Sequence, residues 1–373
     1  MLIDIHMLKN YPPVNLNRDD TGSPKTCWFG GVQRGRISSQ CQKRSWRKSN
    51  LFGNSFGETG IRTRKLPELI KEEIIGRGFD KSFADAAAEK TTGIANKEGK
   101  ENKDGLTGQI IFYSPQDVTV VADIMIELYE ECGKSVKDFS KLKAKDIASS
   151  FKDIKTRPIT IDIAMFGRMV TSNAFRDVEA AVQVAHAIST HAVNQESDYY
   201  TAADDLLEDT EETGAGMIGD IDFNACCFYQ YVSIDTDQLK ENLKDSPDAQ
   251  KYLETLLPAF IKVMAYANPS GKQNSFAGHT LPSLMCVEIK RDKIPVSYAN
   301  AFAKPINVKK GNVIDDSVRA LAEEIDKTDK AYGIESDRFW FCPDSDKRPE
   351  RAEICDELNA LCAKTVSAPQ YGW

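Results

Sequence analysis

The chain has 373 residues, 41% of them hydrophobic and 28% charged, with a formal net charge of −8, which leaves room for one large core with insertions or for two or three domains. No apolar run approaches the ~20 residues that span a bilayer, and residues 1–10 lack the basic start and apolar stretch of a secretory leader. Nine scattered cysteines without a C-x-x-C pair exclude a zinc ribbon or disulfide framework, so the expectation is a cytoplasmic protein with small thiols kept reduced and no membrane partner.

In chain order, residues 1–8 read as a strand, because Ile3, Ile5 and Met7 alternate with Asp4 and His6. Pro12, Pro13, Gly22, Pro24, Gly30 and Gly31 make 11–31 a loop. Ser38 or Ser39 then caps a helix to about 49. Residues 58–157 read as a helical insertion. It holds an amphipathic piece at 66–76, a charged loop at 97–105, and a helix opened by Ser114-Pro115 and stopped at Gly133. A strand is expected at 159–165, and a helix at 177–193 with Val178, Ala181, Val182, Ala185 and Ile188 as its buried stripe. Residues 194–222, with ten acids and Tyr199 and Tyr200 among them, cannot bury a core alone and read as an arm or a disordered loop. A strand at 224–234, a helix at 249–265, a polar loop around Gly271, a strand at 285–290 and helices at 316–328 and 348–364 follow. Strands at the start, middle and late chain, separated by helices, give an α+β fold, and a ferredoxin-like sheet of the kind that binds single-stranded RNA fits the pattern.

The net charge hides a segregation. From 21 to 57 there is no acid and there are seven basic residues, Lys25, Arg34, Arg36, Lys43, Arg44, Arg47 and Lys48. From 177 to 239 there is no Lys or Arg and there are fourteen acids. The first segment is a footprint for a polyanion, and the second suits a basic surface. On a helix, Lys43 lies over Arg47 and Arg44 over Lys48; such like-charge pairs are unfavourable until a polyanion binds. Ser38 and Ser39 at the helix start suit a phosphate. Trp46 faces away from the Lys43/Arg47 edge and belongs in the core. Asp19-Asp20 reads as a turn, with a divalent metal as the lesser alternative, and His186 and His191 lack the spacing of a zinc-protease motif. No nucleophile elbow, Walker loop or dinucleotide fingerprint occurs, so neither a catalytic residue nor a cofactor is expected.

Short segments along 1–304 together resemble the CasC family, the backbone subunit of the type I-E CRISPR Cascade. They are Asn17-Arg-Asp-Asp20, Phe29-Gly-Gly31, Arg36-Ile-Ser-Ser-Gln40 with Lys43, Arg44 and Arg47, Gly167-Arg-Met169 with Thr171-Ser172, Ala185-His-Ala-Ile188 with Thr190-His191, Thr201-Ala202 with Asp204-Asp-Leu206, and Ala299-Asn-Ala-Phe302. The resemblance implies a ferredoxin-like (RRM-like) palm from 1–58, 159–193 and 223–373, helical fingers at 59–158 and a thumb hairpin at 194–222. It implies guide-RNA contacts at Arg18, Lys25, Ser38, Gln40, Lys43, Arg44 and Arg47, at Arg168 and Met169, at Tyr200 and Thr201, and at Lys272, Gln273 and Ser275. The implied partners are a CRISPR guide RNA, further copies of the chain stacked head to tail, other Cascade subunits, and target DNA reached through the guide. The implied role is non-catalytic. The alternative is a metal-dependent ribonuclease backbone of a type III-like complex using Asp19 or Asp20.

Overall fold

A computed structural model describes residues 1–94, 100–151, 158–170, 172, 174–202, 217–246 and 249–368. It is α+β, and the chain forms two compact units, one of 1–52, 183–235 and 256–373, the other of 53–182 and 236–255. Among the described residues no helix is long and apolar enough to cross a membrane.

The first unit is built on one large sheet. Its strands lie in the order Glu353–Cys355, Asp337–Phe341, Leu284–Lys290, Leu2–Val14, Met217–Asp235, Ala187–Ser189, Val32–Ile37 and Thr26–Phe29. All adjacent pairs are antiparallel except the outermost, Asp337–Phe341 with Glu353–Cys355. Leu2–Val14 is central and extends past the expected end at residue 8, because Leu8, Tyr11 and Val14 find partners in the two clusters that cover the sheet. One cluster brings Val318, Leu321 and Ile325 of the helix Val313–Tyr332 onto Leu8, Tyr229, Cys286 and Trp340. The other gathers Tyr11, Val14, Ile37, Ala187, Cys226 and Phe228. With both faces covered, the polar side chains that alternate along the central strand are not solvated; Asp4 and His6 are fully buried.

These buried charges find partners across the sheet. Asp4 sits opposite Glu288, and Glu288 opposite Arg338. Lys290 Nζ lies 2.8 Å from both Asp4 and Glu288, and Arg338 donates to Glu288 at 2.6 Å and to Asp329 at 2.9 and 3.1 Å. Burial alone would raise the Glu288 carboxyl, but His6, Arg338 and Lys290 outweigh it and hold it well below the usual carboxylate range. Asp4, His6 and Glu288 are the one grouping of potential metal ligands among the described residues. Lys290 and Arg338 already match the carboxylates, so the cluster is an ion network and not a vacant cation site.

The second unit is helical, with Leu66–Gly76, Lys81–Ile94 and Pro115–Glu131 around Ile70, Phe83, Val121, Met125, Tyr129 and Phe139. The helix Pro115–Glu131 starts where the sequence places it, with a full capping box between Ser114 and Asp117.

Four expectations need correction. Residues 11–31 are not all loop, because Thr26–Phe29 is a strand that pairs antiparallel with Val32–Ile37. Residues 159–165 are not a strand; the helix Ile161–Phe166 lies there, ended by Gly167 at φ +78°. Ile161 to Met165 are all buried, and so short a run, apolar but for Asp162, carries too little period to tell the two apart. The expected helix at 177–193 is instead two short strands, Val182–Val184 and Ala187–Ser189. Ala187 and Ile188 pair with Ile37 and Arg36, and Ser189 Oγ accepts from Gly35 N at 3.0 Å, so tertiary pairing overrides the helical stripe. The closing helix spans Leu358–Ser367, and the strands Asp337–Phe341 and Glu353–Cys355 precede it.

Candidate nucleic-acid interface

The basic segment folds as expected into a helix, Ser39–Arg47, capped by Ser38, whose hydroxyl accepts from Cys41 N at 3.3 Å. Packing sorts its cations. Trp46 is in the core, edge-on to Phe260 with ring centroids 5.4 Å apart. Arg34 is fully buried and donates to the carbonyls of Phe29, Ser189 and Phe302, so it braces the Thr26–Phe29/Val32–Ile37 hairpin and does not face solvent. Arg47 is also buried, at 7% exposure. Gln40, Arg44 and Lys48 are exposed, and Lys25, Arg36 and Lys43 are half-buried.

Two cationic sites result. At the first, Arg36 Nη1 lies 3.0 Å from His186 Nδ1. Burial first, then Arg36, Lys25 and Lys43, hold His186 below its ordinary value, so a neutral histidine sits among cations. The second is a groove of about 660 Å³ whose lining includes Arg18, Asp19, Arg44, Lys48, Asn268 and His279. It joins three segments far apart in sequence: the loop after the first strand, the basic helix and the 266–279 segment. Arg18 also lines a neighbouring hollow with Ser23, Asp222 and Lys272.

Backbone geometry holds this second site. Asn17 ties loop to helix, its Oδ1 accepting from Ser38 N at 2.8 Å and its carbonyl from Lys25 N at 2.8 Å. A Cβ on Gly271 would stand 2.3 Å from Leu16 O, so only glycine lets the 271 loop approach so closely. The short helix Gln273–Phe276 is flanked by Lys272 at φ +51° and Ala277 at φ +47°. Two non-glycine residues in the left-handed region store strain where Lys272 meets the hollow. Gln273 is held to Pro269 O at 2.8 Å, and Ser275 is exposed. Asp19 is spent on its own turn, accepting from Thr21 N, Thr21 Oγ1 and Ser23 N at 3.0, 2.7 and 3.1 Å. The Thr21 hydroxyl is the main reason its carboxyl lies below the usual range.

The acidic arm is a hairpin. Glu196–Ala202 pairs antiparallel with the outer end of Met217–Asp235, from Glu196 opposite Phe223 to Ala202 opposite Met217. Residues 203–216, including Asp204 and Leu206 of the family motif, lie outside the described residues, as does Thr171. The two tyrosines fall on opposite faces. Tyr200 lies against Gly219, where a Cβ would come within 2.6 Å of its ring. Tyr199 is 65% exposed, and Thr201 on its face is exposed too. At the arm's root Asp222 accepts from Ser23, Ser197 and Gln195, the Ser197 hydroxyl being the first cause of its lowered pKa.

In the second unit, Arg168 is buried, 2.5 Å from Asp117 and bonded to the carbonyls of Phe112 and Arg176. It anchors a loop closed by paired bonds between Arg168 and Val178, 2.8 Å each. Met169, next in sequence, stands 91% exposed. The Gly167-Arg168-Met169 motif thus divides into a turn residue, an anchor and a presented apolar side chain.

Sequence reading counts Lys48 in the basic run but passes over Asn268, Ser270 and His279, which acquire meaning only when the sheet brings residues some 220 positions apart to one groove.

The family model described as CT1975-like protein matches residues 3–364, and the chain belongs to that family. Its fold is similar to a solved chain titled "CRISPR RNA-guided surveillance complex, pre-nicking", with 27% identity and a TM-score of 0.84 over 99% of this chain and 100% of that one. A chain titled "CRISPR RNA-guided surveillance complex" shares the fold at 24% identity and a TM-score of 0.75, again over 99% and 100% of the two chains. A comparison with curated proteins finds no match.

Proposed function

We propose that this CT1975-like protein is the non-catalytic backbone subunit of a type I-E Cascade, binding the guide RNA and presenting it to target DNA. The observation that carries the reading is the groove that gathers Arg18, Arg44 and Lys48, with Lys272 in the adjoining hollow, in a chain so similar to a subunit of an RNA-guided complex. Cations from separated segments suit a phosphate backbone, which gives affinity without sequence preference and leaves target reading to base pairing.

Four strands support a ferredoxin-like palm. Leu284–Lys290, Leu2–Val14, Met217–Asp235 and Ala187–Ser189 lie side by side, each antiparallel to its neighbours. Helices Ser39–Arg47 and Ala249–Tyr266 fall between the first and second and between the third and fourth in chain order. In this reading 59–158 supplies the fingers, 194–222 the thumb, and copies stack head to tail with acidic thumb toward basic palm. Met169 and the thumb tyrosines act on bases, while the cations hold phosphates.

The test is purification of the tagged chain co-expressed with a CRISPR array and the other Cascade subunits. RNA of uniform length should accompany it, and ribonuclease should dissolve the assembly. A complex that assembles free of RNA would overturn the proposal.

A further inference from the structure

The groove wall rests on a residue that no electrostatic reading of the surface would find. Lys9, on the central strand, is 1% exposed, and its Nζ donates to Ala265 O at 2.8 Å, in the last turn of the helix Ala249–Tyr266. Two positions on, the Tyr11 hydroxyl donates to Asn268 Oδ1 at 2.8 Å. Tyr266, Ala267 and Asn268, which these bonds hold, line the groove beside Arg18, Arg44 and Lys48. A cation at a helix C-terminus is favourable, but among the described residues no carboxylate comes within ion-pair distance of Lys9.

We propose that Lys9 takes up a proton when an anionic strand enters this groove, so that binding tightens as pH falls through neutrality. The proposal rests on the guide-binding reading for the identity of the strand.

The groups facing Lys9 favour this coupling. From its own strand the Tyr11 ring lies 5.7 Å from Nζ. Burial, with Cys41 of the basic helix second, raises the Tyr11 hydroxyl far above its ordinary value, so it stays neutral. On the neighbouring strand Phe228 is opposite Lys9, and Cys226, opposite Tyr11, is pushed by burial up to about 12. The helix Ala249–Tyr266 offers a carbonyl, which accepts equally from an amine or an ammonium. The groove offers the cations Arg18, Arg44 and Lys48, with His279, Asp19, Tyr266 and Cys41, whose thiol burial holds above its ordinary value. Burial therefore brings Lys9 down to about 7, poised to change charge. A phosphate among Arg18, Arg44 and Lys48 removes the positive field that opposes its protonation.

If the bound strand raises the proton affinity of Lys9 by about one pH unit, affinity should be about sevenfold higher at pH 6 than at pH 8.5. The experiment measures anisotropy of a labelled single-stranded oligouridine on the full chain across this range at fixed ionic strength. Heparin, a polyanion without bases, is run beside it. Wild type should show the slope with both probes. Lys9→Met and Lys9→Gln should flatten it, whereas His279→Gln and His186→Gln should keep it. A flat wild-type profile with either polyanion, or a slope lost with the histidines and kept without Lys9, overturns the proposal. Heparin binding with the expected slope but no RNA binding at any pH would refute the guide-binding reading and leave the proton coupling standing.

Discussion

Replacing Arg18, Arg44 and Lys48 together by alanine removes three exposed cations that the fold gathers along the groove. In the proposed guide-binding role these, with Lys25 and Lys272, would make about five phosphate contacts, and a single strand releases roughly 0.7 counterion per contact, for a log K against log salt slope of about −3.5. Two remaining contacts give about −1.4. Between 50 and 200 mM KCl, wild type should therefore lose roughly 130-fold in affinity for a single-stranded RNA, and the variant about sevenfold. Anisotropy titrations at four salt concentrations measure this directly, with circular dichroism to show that the fold is retained. None of the three side chains is buried, so the fold should survive their removal. A variant slope within about 0.5 of wild type would show that the groove does not hold phosphates.

Glu288→Ala should cost about 3 kcal/mol in urea unfolding at pH 7, because buried Lys290 and Arg338 would lose the carboxylate they share and keep only Asp4 and Asp329, one each. Since the Glu288 carboxyl is held low in the folded state, its stabilisation is complete above the ordinary carboxylate pKa and should fade as pH falls through the folded value; wild type and variant should converge in strong acid. Gly30→Ala should lower the melting temperature and cost more than about 2 kcal/mol, because φ is +61° and the new Cβ would fall 1.7 Å from Ala303 O. Complementary RNA and Mg²⁺ added to the assembled complex should remain uncut, while periodic fragments that vanish in Asp20→Ala would establish the ribonuclease reading.

Much of this was legible because local signals are strong. Ser38 and Ser114 announce their helices by capping chemistry that acts within four residues. The alternation of Ile3, Ile5 and Met7 located the central strand, but it implied a solvated face that does not exist. Asp4, His6 and Lys9 are buried, and their partners Lys290, Tyr229 and Ala265 lie more than 200 residues away. The helix expected at 177–193 failed for the same reason, since its pairing with Arg36, Ile37 and Tyr229 is a property of the assembled sheet. Charge counting found the basic run but could not separate Arg34 and Arg47, which packing buries, from Arg44 and Lys48, which it leaves exposed. Likewise, adjacency made Tyr199 and Tyr200 equivalent, while the hairpin puts one over Gly219 and the other in solvent.

The strand Met217–Asp235 runs without interruption from the hairpin into the middle of the sheet. Loss or gain of a single codon in its outer half would exchange the two sides of the arm, carrying Met217 and Gly219 to where Ile218 and Asp220 now stand. The same change nearer its inner half would be ruinous, because it would turn the residues beside Leu2–Val14 inside out. Natural length variants of this arm should therefore be confined to the stretch between 202 and 217.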